Sequence, residues 1–184
     1  MFPLMLDTKK MTVGLVIEGE IGLGRLELME AAYAQSLVIF SQDPEIRKKA
    51  GERLAGVRPG PGDLGDAAAV FIAGIDRPEA DDLAALVRSE KRLLNVEDQR
   101  DLCDFHVPSM VRRGDLTLAI ATGGKSPGMA RRLRQYLENH FGPEWAGYLD
   151  DVAQRRMTWR SEGLSLKQVS ARVEAYIEEK GWLK

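Results

Sequence analysis

Four short stretches hold residues whose types and spacing can do chemistry. In NVED, residues 95–98, an apolar run ends in two acids, and Asp98 can act as a general base or order a cationic substrate; a solvated loop acid is the plainer alternative. ATGGKSPGMARRLR, residues 121–134, joins consecutive glycines, two hydroxyls and a helix opening with Pro127 behind Ser126, while Arg131, Arg132 and Arg134 add positive charge along that helix. Such a corner suits an anionic ligand, although a helix start capped by Ser126, with the arginines facing solvent, uses the same residues. VIEGEIGLGRL, residues 16–26, runs strand, glycine turn, helix, the order of a dinucleotide pyrophosphate loop. With the strand ending at Ile17, however, the first, third and last places of G-x-G-x-x-G fall on Glu18, Glu20 and Leu23, and Gly19, Gly22 and Gly24 are out of phase. A turn without a ligand fits that stretch equally well. In SQDP, residues 41–44, Asp43 can grip ribose hydroxyls or N-cap the helix that Pro44 opens.

The elements that must position these residues alternate. Apolar runs over residues 12–17, 36–40, 67–72 and 92–96 are short and rich in Val, Ile and Leu, as buried strands are. Helical spacing lies between them, over residues 23–34, 43–54 and 78–89, the last opening with Pro and acids. Strand and helix in repeated alternation predict a parallel, doubly wound α/β layer with right-handed crossovers. GVRPGPGDLGD, residues 56–66, reads as a surface connection with one short edge strand at its start. After Pro108 the pattern predicts one more strand over residues 115–121, a helix over 129–141, and two helical segments from Pro143 onward, broken near Gly163 with Ser165 as the second N-cap.

With 26 basic and 28 acidic residues the net charge is −2, so no strong field favours nucleic acid or an anionic membrane surface. One cysteine, Cys103, excludes an internal disulfide framework, and the apolar part of MFPLMLDTKK is too short for a secretory signal or a membrane span; a cytoplasmic protein is expected. Cys103 and His106 have C-x-x-H spacing without a second pair, so no structural metal site is expected. Trp145, Trp159 and Trp182 all fall in the helical tail, where they are expected to anchor a core or an interface.

NVEDQRDLCDFHVPS followed by RRGDLTLAIATGGKSPGMARRLRQYLE resembles the signature of the precorrin-2 dehydrogenase and sirohydrochlorin ferrochelatase family, the siroheme synthase N-terminal module. There one finds NVVD, then F-x-x-P-[SA], a strand, [ST]-[ST]-G-G-x-S-P and an Arg-rich helix. FPLMLDTKKMTVGLVIEG is similar to the family's opening, so the resemblance extends over nearly the whole chain. It implies a Rossmann-like parallel sheet over residues 1–108, a strand–helix dimerisation segment over 109–141 and a small all-helical C-terminal domain over 142–184. It also implies that the chain stops where the module stops, without the methyltransferase half of the fused enzymes.

Residue by residue, the resemblance places Asp98 on the catalytic aspartate and assigns Asn95, Thr122, Gly123, Gly124, Ser126 and Arg131 to a tetrapyrrole substrate, precorrin-2 or sirohydrochlorin. Gly19, Glu20, Ile21 and Gly22 of the first turn, with Gln42 and Asp43 of the second, fall on the NAD side. The activity implied is NAD-dependent oxidation of precorrin-2 to sirohydrochlorin in a homodimer, together with ferrochelation, in which a divalent metal is a substrate. The departures are all on the NAD side. The family's three glycines stand here as Glu18, Gly19 and Glu20, its helix-packing alanine as Leu23, and its A-[AT]-[TD]-D loop as Ala73, Gly74, Ile75 and Asp76. A rival reading therefore keeps the tetrapyrrole and drops the redox step: a chelatase, or a tetrapyrrole-binding homologue, that has lost NAD.

Overall fold

The apolar runs of the first half become neighbouring strands, each buried on both faces. The structure, a computed structural model, describes residues 2–183 and forms two compact units that part in the sequence between Val107 and Pro108. In the first unit β1 (Thr12–Ile17), β2 (Ser36–Phe40), β3 (Leu54–Gly56), β4 (Ala69–Ala73) and β5 (Leu93–Val96) lie in the order β3-β2-β1-β4-β5, every neighbouring pair parallel. Helices α1 (Gly19–Ala31), α2 (Pro44–Ala50) and α3 (Arg77–Ser89) make the crossovers. This is a Rossmann-like sheet. Strand periodicity divides its core in two: Val13, Leu15, Ile17, Phe71 and Ala73 pack with Leu26, Met29 and Ile46 of α1 and α2. Val16, Val70 and Ile72 turn the other way, onto Ala80, Leu83, Ala84 and Val87 of α3.

Boundaries move by up to four residues, the largest shifts falling at two helix ends. The helix predicted from residue 23 begins at Gly19, and the one predicted over residues 43–54 stops at Ala50, where Gly51, at φ +57°, turns the chain into one 3-10 turn before β3. The caps at the remaining starts are as the composition requires. Asp43 accepts from the N–H groups of Glu45 and Ile46, and Asp76 from that of Glu79, each ahead of a proline in the first turn.

The second unit opens with a hairpin, β6 (Ser109–Arg113) antiparallel to β7 (Leu116–Ile120), closed by the two residues Gly114 and Asp115 with Gly114 at φ +57°. Three helices follow, α4 (Pro127–His140), α5 (Trp145–Ser161) and α6 (Leu166–Lys180). Ser165 and Gln168 form a reciprocal capping box at the start of α6. Tyr148 stacks on Trp182 at 4.3 Å and Tyr176 meets the same indole edge-on at 5.6 Å, so two of the helical tail's elements are tied through aromatic rings. No residue of α4 or α5 is buried within the chain. Among the described residues no helix is long and apolar enough to cross a membrane.

Candidate active site

Strand β1 has β2 on one side and β4 on the other, with the crossover helices on opposite faces, so the carboxyl ends of β1 and β4 form the switch point outside which open α/β sheets bind ligands. The first residue beyond β1 is Glu18 and the first beyond β4 is Gly74. The Glu18 N–H donates to the Ala73 carbonyl at 2.9 Å. Gly74 sits at φ +73°, and a Cβ there would lie 1.9 Å from the Glu18 carbonyl oxygen. Only glycine fits, on both backbone and steric grounds.

The Glu18 side chain reaches from β1 across the end of β2. Its Oε1 accepts from the Gln42 N–H at 2.8 Å and from the Arg58 guanidinium; its Oε2 accepts from the Asp43 N–H at 3.0 Å and the Ser41 hydroxyl at 3.1 Å. Four donors meet two oxygens, which fills the acceptor capacity of a carboxylate. Burial pushes this carboxyl up, but the Gln42 N–H, the Arg58 guanidinium and the Ser41 hydroxyl outweigh it and hold the group below the usual carboxylate value. Arg58, from the connection after β3, also binds Glu79 of α3 and its neighbouring carbonyl of Val57 at 2.9 Å. Its position therefore does not depend on Glu18 alone.

The glycine turn differs in phase from the sequence reading. Gly19 starts α1 at φ +60° with open space where its Cβ would be, and Glu20 and Ile21 are exposed on the first turn. The small residue packed against the strand is Gly22: a Cβ there would meet Ile17 at 3.0 Å and Ile46 at 3.1 Å. Gly19 and Gly22 thus stand in the places of the second and third glycines of the fingerprint, one position earlier than the reading that put them at Glu20 and Leu23. At this turn glycine fills two of the three places, Ile17 standing at the first, and the open space at Gly19 fits a dinucleotide. At the end of β2, the donors that would meet its adenosine half are engaged by Glu18. Gln42 is exposed, and Asp43 caps α2 through Oδ1, 2.8 Å from Glu45 N–H and 3.1 Å from Ile46 N–H, so of its two sequence readings the cap is realised with one of its two oxygens.

At β5, Asn95 lies inward at 6% exposure; its amide donates to the Phe105 carbonyl at 2.9 Å and faces the Cys103 sulfur at 3.6 Å. The side chain expected to meet substrate instead ties the strand to residues 103–105, because the alternation of a buried strand turns it into the fold. Cys103 is tied in as well, its thiol donating to Val96 O at 3.1 Å, whereas His106 is exposed. Glu97 forms an ion pair with Arg25 of α1, which is 8% exposed and lies over the Phe71 ring at 5.2 Å. Asp98 follows, exposed and at φ +59°, in a turn closed by Gln99 N–H to Val96 O at 3.3 Å. A left-handed aspartate costs about 1 kcal/mol or more, and such strain gathers at functional sites.

The predicted anion loop belongs to the second unit. Gly123 and Gly124 have φ of +59° and +72°, the Thr122 hydroxyl donates to the Ser126 carbonyl at 3.2 Å, and Ser126 caps α4 by accepting from Met129 N–H at 3.1 Å. Arg131 is exposed, while Arg134 is paired with Glu138. Sequence reasoning missed Ser41, Arg58 and the Arg25–Glu97 pair. Arg58 stood in a Pro/Gly-rich connection with no period, 40 residues from its partner.

Residues 4–109 match the family described as "Putative NAD(P)-binding", and residues 113–140 the family described as "Sirohaem biosynthesis protein central". The siroheme synthase of Thioalkalivibrio sulfidiphilus is 31% identical over 94% of this chain and 34% of its own length. That of Xylella fastidiosa is 42% identical over 50% of this chain and 20% of its own. The chain thus spans about a third or less of the curated relatives it matches. A solved structure titled "SirC, precorrin-2 dehydrogenase" covers 100% of this chain and 93% of its own at TM-score 0.76 and 22% identity, a likeness of fold. The match over residues 4–109, more than half of the chain, places the protein in the family described as "Putative NAD(P)-binding", with the sirohaem central segment after it and siroheme synthases similar to it over nearly its whole length.

Proposed function

We propose that this chain oxidises precorrin-2 to sirohydrochlorin, with Asp98 as the proton acceptor. The observation that carries this reading is Asp98 itself: an exposed carboxylate on a left-handed turn at the carboxyl edge of a dinucleotide-type sheet, held there by an inward-facing Asn95 and by the Arg25–Glu97 pair next to it. A bound nicotinamide dinucleotide supplies the hydride acceptor, so the reaction removes one hydride and one proton from the macrocycle. Asp98 takes the proton from the ring carbon. Gly19 leaves the open space that close backbone approach to a pyrophosphate needs, and Gly22 lets α1 pack against Ile17. Within the second unit, taken by itself, the Thr122, Gly123, Gly124 and Ser126 loop and Arg131 have the chemistry to meet carboxylates. The protein acts as a homodimer. In support, α4 exposes Met129, Leu133 and Tyr136 at helical spacing, and the β6–β7 pair is a sheet of two strands with free edges.

Anaerobic incubation with enzymatically generated precorrin-2 and either NAD or NADP should yield sirohydrochlorin with one reduced nicotinamide per product. Absence of product with both cofactors, in a protein that still binds the tetrapyrrole, would sink the redox reading. A second reading, metal insertion or tetrapyrrole binding without oxidation, is favoured by one observation, the Glu18 carboxylate on the donors at the end of β2. Insertion of Fe2+ or Co2+ into sirohydrochlorin measures it directly.

A further inference from the structure

The Glu18 carboxylate behaves as a ligand of its own chain. The Ser41 side chain is fully buried and donates to it, two fixed backbone N–H groups ahead of α2 donate to it, and Arg58 completes the set from a separate connection. All four partners are donors. A group that replaces the carboxylate must therefore bring acceptors and negative charge. A ribose diol brings hydroxyl oxygens that can accept but no charge to match Arg58, and the nearest other carboxylate, Asp43, already has its Oδ1 on the Glu45 and Ile46 N–H groups. In dinucleotide folds the end of the second strand is where an acid grips the ribose diol or an Arg accommodates a ribose phosphate.

We propose that Ser41, the N–H groups of Gln42 and Asp43, and Arg58 form an anion site for the ribose phosphate monoester of an NADP-type nucleotide, and that Glu18 is its internal, displaceable occupant. The site remains built when Glu18 leaves. Arg58 keeps Glu79 and the Val57 carbonyl, and the Ser41 N–H stays bound to the Gly56 carbonyl at 3.1 Å. Glu18 itself has ordinary extended backbone, φ −138° and ψ 149°, so alanine is accommodated there without strain. The inference rests on the dinucleotide reading of the first unit and not on the tetrapyrrole reaction, so nucleotide binding without substrate tests it alone.

The test is calorimetric titration of the full chain with adenosine 2′,5′-bisphosphate, with AMP and with inorganic phosphate. Glu18→Ala should bind the bisphosphate at least tenfold more tightly than the unmodified protein does, with no comparable gain for AMP. Glu18→Ala/Arg58→Met should lose that gain. A melting curve checks the fold, and Glu18→Ser, which keeps a small polar group at the turn, takes the place of alanine if that variant does not fold. An equal gain for AMP and the bisphosphate, a gain for inorganic phosphate with none for either nucleotide, or no gain in a folded variant would each overturn the proposal. So would tight AMP binding by the unmodified protein.

Discussion

At the carboxyl edge of the sheet two carboxylates stand in opposite circumstances. Glu18, beyond β1, is half-buried and has every lone pair met by a donor of its own chain; Asp98, beyond β5, is exposed on a turn whose backbone is strained. The difference separates structure from chemistry. A carboxylate saturated by four donors stabilises the loops that supply them and is poor at taking anything else, whereas an exposed one on a rigid turn is free to meet a substrate. It also changes the meaning of the acids in the first turn. Read from the sequence, Glu18 and Glu20 repel a pyrophosphate. In the fold, Arg58 neutralises Glu18, and Glu20 is an exposed acid in the first turn of α1, where the helix dipole favours it. Occupancy of the adenosine end, not repulsion at the turn, is the obstacle.

The largest test of this contrast is Asp98→Asn. It should lower precorrin-2 oxidation by roughly 100 to 10,000-fold, the range of a general base, while leaving the melting temperature within a few degrees. If activity falls less than tenfold, Asp98 is not the proton acceptor, and the contrast loses its chemical half.

Gly74→Ala attacks the other half. The new Cβ would fall 1.9 Å from the Glu18 carbonyl at a φ of +73°. The left-handed backbone costs about 1–2 kcal/mol and the overpacking about 1–3 kcal/mol more. For a chain of this size each kcal/mol lowers Tm by roughly 2–4 °C, so a scanning melt should show the loss plainly. A variant as stable as the parent would mean that β1 and β4 do not approach as described.

How far the sequence reveals these two sites follows from the range of the interactions involved. β1 and β2 were legible to the residue because strands buried on both faces are continuous apolar runs. NVED and TGGKSPG were legible as motifs because their glycines, caps and acids are local. The start of α1 was not, since three glycines in six residues look like loop until Gly22 is seen packed against Ile17. β6 was missed because SMVRR is polar at one end, although Gly114 and Asp115 gave a two-residue hairpin signal. The Glu18 site was illegible because its donors come from residues 41–43 and 58, joined only by the sheet order.

Arg131→Ala tests the substrate side with a smaller effect. One charge-assisted contact with a tetrapyrrole carboxylate is worth about 1.5–3 kcal/mol, so sirohydrochlorin should bind at least tenfold more weakly, with the loss shrinking as salt is raised. An unchanged Kd would move the carboxylate contacts off this helix.

The smallest effect is carried by acid, and it separates Glu18's structural role from any other. Its carboxyl is held below 4.5 in the folded chain, so the ionised form is bound more tightly there than in the unfolded chain. The stability this contributes is complete above about 4.5 and is lost as pH falls through the lower folded value. Glu18→Gln removes the charge and sets an amide N–H2 against a ring of donors, so it should melt below the parent at pH 6. It has no carboxyl to titrate at that place. Between pH 6 and pH 3 the gap in Tm between parent and variant should therefore narrow, and narrow mostly below 4.5. A gap that stays constant across that interval would show that Glu18 gains nothing from its four donors in the ionised form, and the carboxylate would then be a bystander in the turn.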